Sequence, residues 1–279
     1  QAPPMPVCIQ IGHAGRKASS EVPWRGGMLM TLQNGGWLPK GPSALPHLPQ
    51  EPAPAELTLQ DIAQIQADFV AAARRTQAIG IDAIELHGAH GYLMHEFLSP
   101  LSNQRTDAYG GSFENRIRFV MEVFKGVREA FDGALGIRLS GTDWVEGGWT
   151  IQESTELTLR LKAAGAQFVH MSSGGVSPLQ KISIGPEYQV HLARVIKEKT
   201  GLPTMAVGLI TEAAQAEAVL QRGDADFVAL ARAFLYNPRW GWHAAAALQG
   251  QVQASPQYWR SLPKEANGIF GPDARIGMR

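Results

Sequence analysis

The chain has 279 residues, 25 basic against 25 acidic side chains and a hydrophobic fraction of 44%. That composition can build a sizeable core, and its balanced charge gives no footprint for nucleic acid or an anionic membrane. The single cysteine, Cys8, excludes an internal disulfide and points to a reducing cytoplasm, and no apolar run reaches the roughly 18 residues of a membrane span.

The opening QAPPMPVCIQI has no charged region ahead of its apolar stretch. It reads as a chain entered partway through a fold rather than as a signal peptide. Residues 7–11 are the first of six short apolar runs; the others are 83–87, 136–140, 168–172, 203–207 and 227–231. Each has the length of a buried parallel strand. Residues 18–56 are irregular and rich in Pro and Gly, with Trp24 and Trp37. So long a loop is functional or disordered, and its tryptophans favour a cap over the mouth of the fold rather than a disordered linker. A helix is expected over 58–79, with Thr58 as N-cap, Asp61 completing a capping box, Ile62, Ile65, Phe69 and Ala72 on one face, and Gly80 as its stop. Helices are also expected over 113–131, 151–164, 186–200 and 211–221, with Pro186 in a first turn and Gly165, Gly201 and Gly223 as terminators. The tail from 255 to 279 is irregular, and residues 1–279 read as one domain.

Strands alternating with helices imply an α/β fold with a parallel sheet. Polar residues stand at the C-terminal end of nearly every run: Gln10, His87, Arg138, Ser172 and Ser173, Gly208 and Arg232. So many strand ends converging on one face is the pattern of a (β/α)₈ TIM barrel. An open doubly wound sheet would gather them at one switch point.

The sharpest stretch is ELHGAHGYLMHEFLSPLSNQRTDAYGGSFENR, residues 85–116. His87 and His90 are separated by two residues, Gly88 among them, and paired imidazoles can donate hydrogen bonds to a carbonyl oxygen that gains negative charge. Tyr92 beside them can deliver a proton. Zinc is the competing use of His-x-x-His, but a third ligand is wanted and Asn103, Arg105 and Asn115 are poor company for a metal, so no metal site is assigned. A purely structural pair of histidines is the other alternative. Gly208 and Arg232 end the last two strands, where barrels often cradle a phosphate. Arg138 on a core strand calls for a partner, either a buried carboxylate or a cofactor carrying delocalised negative charge. Gln10 can read an amide edge by donating and accepting at once.

QIGHAGRK, the 85–116 stretch, GIRLS, SSGG, AVGLIT and ALARAFLYNP together resemble the Old Yellow Enzyme family, in its branch of YqjM-like enzymes and xenobiotic reductases. The resemblance runs in order from residue 5 to about 260. It implies an FMN-containing barrel that reduces activated alkenes (unsaturated carbonyls, maleimides, nitroalkenes) with NAD(P)H by a ping-pong hydride transfer. It would give His87 and His90 the substrate oxygen and Tyr92 the proton. Gln10 and Arg138 would contact the isoalloxazine ring, and Ser173, Gly208 and Arg232 would lie near the ribityl phosphate. Lys17 would stand at the substrate rim. Arg260 is the candidate for an arginine reaching into a neighbouring subunit, so a dimer or tetramer is expected. The family's first two strands have no counterpart, so the chain reads as barrel strands 3–8. A second polypeptide could supply the rest, and a flavin-free, non-catalytic fragment is the alternative. A flavin-free barrel enzyme acting on a phosphorylated metabolite is a third reading.

Overall fold

The computed structural model describes residues 5–266, 268–272 and 274. Its main sheet has six parallel strands: β1 (Cys8–Ile11), β4 (Ala83–Gly88), β5 (Ala134–Ser140), β6 (Phe168–Ser172), β7 (Thr204–Ala206) and β8 (Phe227–Val228). Each strand pairs with the next of these in chain order. That order is the one a barrel wall requires; a doubly wound sheet would reverse direction at a switch point. The wall does not close. Among the described residues β1 and β8 are its two edges. A second, two-stranded sheet pairs β2 (Lys40–Gly41) with β3 (Ala55–Glu56).

Helices α1 (Leu59–Ala78), α3 (Phe113–Ala130), α4 (Ile151–Ala163), α5 (Val190–Thr200) and α6 (Ala213–Gln221) follow the strands, joined by the short α2 (Leu93–Leu98), α7 (Arg232–Tyr236) and α8 (Trp240–Ala247). Helix α1 begins as its sequence requires. The Thr58 hydroxyl accepts from the Asp61 N–H, and the Asp61 carboxylate accepts from the Thr58 N–H. Its buried face holds Ile62, Ile65, Phe69 and Ala73; Ala73 rather than Ala72 is sealed, because the stripe drifts around the helix. Burying a side chain such as Ile62 or Phe69 stabilises by about 2–3 kcal/mol.

The core lies between sheet and helices. Ile84, Leu86, Leu135, Ile137, Leu139, Val169 and Met171 alternate along β4, β5 and β6 and join the helical apolar faces in one buried cluster. The opposite phase of the same strands carries the polar residues described below.

Several expected boundaries move. The helix expected from Pro186 starts at Val190. Glu187 stands at φ 62°, outside helical space, and its N–H is taken by the Gly208 carbonyl. The last strand keeps two of its five expected residues, and α6 begins two residues late. The cap of residues 18–56 is ordered as two 3₁₀ turns, Pro23–Arg25 and Leu32–Asn34, and the strands β2 and β3. Trp24 and Trp37 do not anchor it; both are exposed. The Arg16 guanidinium instead grips the Leu45 and Pro46 carbonyls, and Arg105 grips that of Pro42. The tail forms two 3₁₀ turns, Pro256–Ser261 and Lys264–Ala266. Residues 267, 273 and 275–279 of the tail lie outside the described residues, as do residues 1–4 of the opening segment. No described helix is long and apolar enough to cross a membrane.

Candidate active site

On the inner phase of the wall, register sets His87 beside Arg138 and Arg138 beside His170. One row below, Gln10 pairs with Glu85. Glu85 ties the rows together: its carboxylate accepts from Gln10 Nε2 and from His170 Nδ1, the latter at 3.0 Å. Burial alone would raise the Glu85 pKa, but hydrogen bonds from His170 and Gln10 and the charge of Arg138 outweigh it and hold the carboxyl low. Glu85 is thus a buried anion facing the Arg138 guanidinium. Arg138 itself is lowered by burial, against the pull of Glu85.

His87, His90 and Tyr92 gather at the upper end of β4. The two imidazole centroids are 5.1 Å apart, and the Tyr92 ring is 5.0 Å from His87. Burial, then the nearby Arg138, lowers the His87 pKa to about 4 and the His90 pKa to about 2. Both rings are therefore neutral near pH 7. They offer N–H groups without adding charge, a donor set suited to an oxygen that becomes negative only during reaction. Neither ring nitrogen of His87 has a partner among the described residues.

His90 is held from every side. Its backbone sits at φ 59°, a left-handed conformation that costs a non-glycine residue about 1 kcal/mol or more. The His90 N–H donates to Ser140 Oγ at 2.9 Å, and its carbonyl accepts from Lys17 Nζ at 2.9 Å. The ring Nε2 meets Ser172 Oγ at 2.7 Å. Lys17 also donates to the Gly175 carbonyl. Burial, then repulsion from Arg16, brings its ammonium down to about 8. Lys17 was expected at the substrate rim; in the structure its ammonium donates to these two carbonyls.

Beside His90 opens a cavity of about 220 Å³, lined among others by Arg138, Ser172, Tyr188, Gln189, Gly208 and Arg232. Two strand ends and a helix start meet at its far side. Gly208 has φ 138°, and a Cβ there would stand 2.8 Å from Gln189 Cγ, so the chain needs a glycine at this approach. Arg232 opens the five-residue α7. The Ser173 hydroxyl donates to Gln189 Oε1 at 2.7 Å.

The structure thus brings His90, Arg138, Gly208 and Arg232 onto one cavity, with His87 and Tyr92 against His90 and Ser173 behind Gln189. Gln10 lies a row lower, bonded to Glu85. Arg260 is not brought in; it is exposed on the tail turn Pro256–Ser261. Glu85, His170 and Gln189 were absent from the expected site. Strict alternation could have found two of them: Glu85 precedes His87 by two residues, and His170 precedes Ser172 by two. Nothing local marks Gln189, which arrives on the turn before α5.

Residues 5–251 match the model of the NADH:flavin oxidoreductase / NADH oxidase family. The chain is 45% identical over 254 residues to an NADPH dehydrogenase of Geobacillus thermodenitrificans, covering 91% of this chain and 70% of that protein. It is 41% identical over 255 residues to an NADPH dehydrogenase of Bacillus velezensis, covering 91% and 71%. Among solved structures, morphinone reductase in complex with tetrahydroNAD superposes with a TM-score of 0.66 at 28% identity, over 86% of this chain and 66% of that one. A 2-naphthoyl-CoA reductase complex superposes with a TM-score of 0.72 at 28% identity, over 83% of this chain and 36% of that one. The chain therefore spans part of the length of each of these proteins.

Proposed function

This chain belongs to the NADH:flavin oxidoreductase / NADH oxidase family, and from that premise we propose that it is an FMN-dependent ene-reductase that spends NAD(P)H on activated C=C bonds. The observation that carries the reading is the common cavity, lined by the neutral His90 imidazole, Arg138, Gly208 and Arg232, with the His87 ring against His90. The donor set fits a flavin. His87 Nδ1 and Nε2 and Arg138 Nε are buried and unpartnered among the described residues, and each such atom costs about 1–3 kcal/mol until a ligand satisfies it. Arg138 would hold the electron-rich edge of the ring, with Gln10 behind it, and Gly208, Arg232 and Ser173 would surround the phosphate. When bound, FMN would supply the hydride, renewed by NAD(P)H in a ping-pong order.

The protein's own residues do the rest. His87 and His90 hold the carbonyl or nitro oxygen of the alkene, which polarises the double bond and draws negative charge toward the N–H groups. Ser172 Oγ accepts weakly from Gln189 Nε2 and would turn its own hydrogen to His90 Nε2. That would put the His90 proton on Nδ1, free for the substrate. Tyr92, the more exposed partner, gives the proton to Cα as hydride reaches Cβ, so the alkene gains one H⁻ and one H⁺. Fixing the alkene in this cradle supplies much of the acceleration by orientation.

In this reading the open wall corresponds to strands 3–8 of a (β/α)₈ barrel in one partial domain, with residues 18–56 as its cap. The working molecule is a cytoplasmic oligomer in which Arg260 meets a neighbouring subunit. The test is turnover of 2-cyclohexenone with NADPH and FMN. Turnover is expected to collapse in His87→Ala/His90→Ala, and undiminished turnover in that double variant refutes the role of the histidines. The edges of β1 and β8, unpaired among the described residues, favour a second reading, a non-catalytic or partner-complemented fragment. Protein that stays colourless after FMN addition supports it.

A further inference from the structure

Outside the groups assigned above, α2 carries a fully buried imidazole, His95, against a fully buried carboxylate, Asp143. The geometry fixes the ring's tautomer. His95 Nδ1 accepts the Gly91 N–H at 2.9 Å, so it carries no proton of its own, and Nε2–H donates to Asp143 Oδ1 at 2.7 Å. Asp143 is anchored in turn by the Ser99 hydroxyl at 2.6 Å and the Trp149 N–H at 2.7 Å. Gly91 follows His90 directly, stands at φ 72°, and packs so closely on the Gly175 carbonyl that a Cβ would not fit.

We infer that the His95–Asp143 pair is a positioning device that holds His90 in its left-handed conformation by capturing the next N–H in the chain. The Ser140 and Lys17 bonds grip the two backbone groups of His90 itself. The Gly91 N–H shares a rigid peptide plane with the His90 carbonyl, so His95 and Lys17 hold that plane, and with it the torsion beyond the His90 Cα, from its two ends. Asp143 acts one step further back: by demanding a proton on Nε2, it leaves Nδ1 as an acceptor. This inference rests on the reading of His90 as a substrate-oxygen donor.

Two substitutions split the two ring contacts. In His95→Gln the side-chain amide falls where Nε2 was, so the Asp143 contact survives and the Gly91 N–H loses its acceptor. In His95→Asn the amide oxygen falls where Nδ1 was, so Gly91 keeps an acceptor and Asp143 loses its donor. Amide hydrogen exchange at Gly91 is expected to accelerate at least about tenfold in His95→Gln and to stay near wild type in His95→Asn. The kcat/KM for 2-cyclohexenone is expected to fall about ten- to a hundredfold in His95→Gln, the scale of a misplaced catalytic group, and to recover in His95→Asn. Equal losses in both variants, or unchanged Gly91 exchange in His95→Gln, would overturn the inference. Should either variant fail to fold, ¹⁵N spectra of histidine-labelled wild type decide: Nδ1 of His95 must be unprotonated and Nε2 protonated, and the reverse overturns the inference. A wild type that shows protected Gly91 and the expected tautomer, yet no enone turnover, sinks the functional reading and leaves the positioning intact.

Discussion

Glu96 on α2 is fully buried, and its carboxyl is poorly supplied with partners. Oε1 accepts the Arg16 N–H at 2.8 Å, while Oε2 has no partner among the described residues and Gly15 and Gly41 press against the group. Burial raises its pKa to about 8 from an ordinary 4.5, against the pull of Arg16. A carboxyl raised on folding adds stability in full below the unfolded value. That stability drains away as the unfolded chain sheds a proton the native state keeps, and above about 8 it is gone. At about 1.4 kcal/mol for each pH step, the span from 4.5 to 8 caps the loss at about 5 kcal/mol. Relaxation around the group can halve it. Glu96→Gln copies the neutral acid and cannot ionise, so it should match wild type near pH 4.5 and outlast it increasingly toward pH 7.5. The gap there should reach roughly 5–15 °C in Tm, at about 2–4 °C per kcal/mol for a chain of this size. Reading the difference at or below pH 7.5 keeps Lys17, which titrates near 8, mostly charged in both proteins. Thermal melts of the two proteins from pH 4.5 to 7.5 are the assay. Parallel curves, or a gap that narrows as pH rises, refute the argument that Glu96 is neutral in the native state.

The depressed pKa values of His87 and His90, about 4 and about 2, make the neutral rings the working form, so kcat/KM for an enone should show no histidine limb between pH 5 and 9 and decline only as the pH approaches 4; a limb near 6.5 contradicts it. Gly208→Ala forces a Cβ onto a φ of 138° and against Gln189 Cγ, strain of about 1–3 kcal/mol; FMN affinity, measured by fluorescence titration, should weaken by about tenfold. Thr150→Ala removes the side chain that accepts the Glu153 N–H at the start of α4; stability should drop by about 1 kcal/mol, visible as a fall of about 2–4 °C in Tm, with turnover per folded molecule unchanged.

The sheet and its helices were legible in the sequence because each depends on a local period. Runs of five apolar residues between amphipathic stretches gave all six main strands, and Thr58 with Asp61 gave the start of α1 to the residue. The boundaries that failed are those set at a distance. Glu187 leaves helical space because its N–H finds the Gly208 carbonyl, and neither Pro186 nor its neighbours announce that bond. The candidate site divides the same way. Its chemistry-bearing residues stand in one short motif or at strand ends, so His87, His90, Tyr92, Arg138 and Gly208 could be picked out by type and position. What holds them comes from elsewhere: Lys17 from 73 residues away, Ser140 from 50, and Asp143 reaching His95 across 48. Gln10 could be picked out by type and strand position, but its bond to Glu85, 75 residues away, could not. Reading the inward phase of every strand together would have recovered Glu85 and His170, because pleat alternation is local. His95 and Asp143 have no such rule, and the conformation of His90 depends on them.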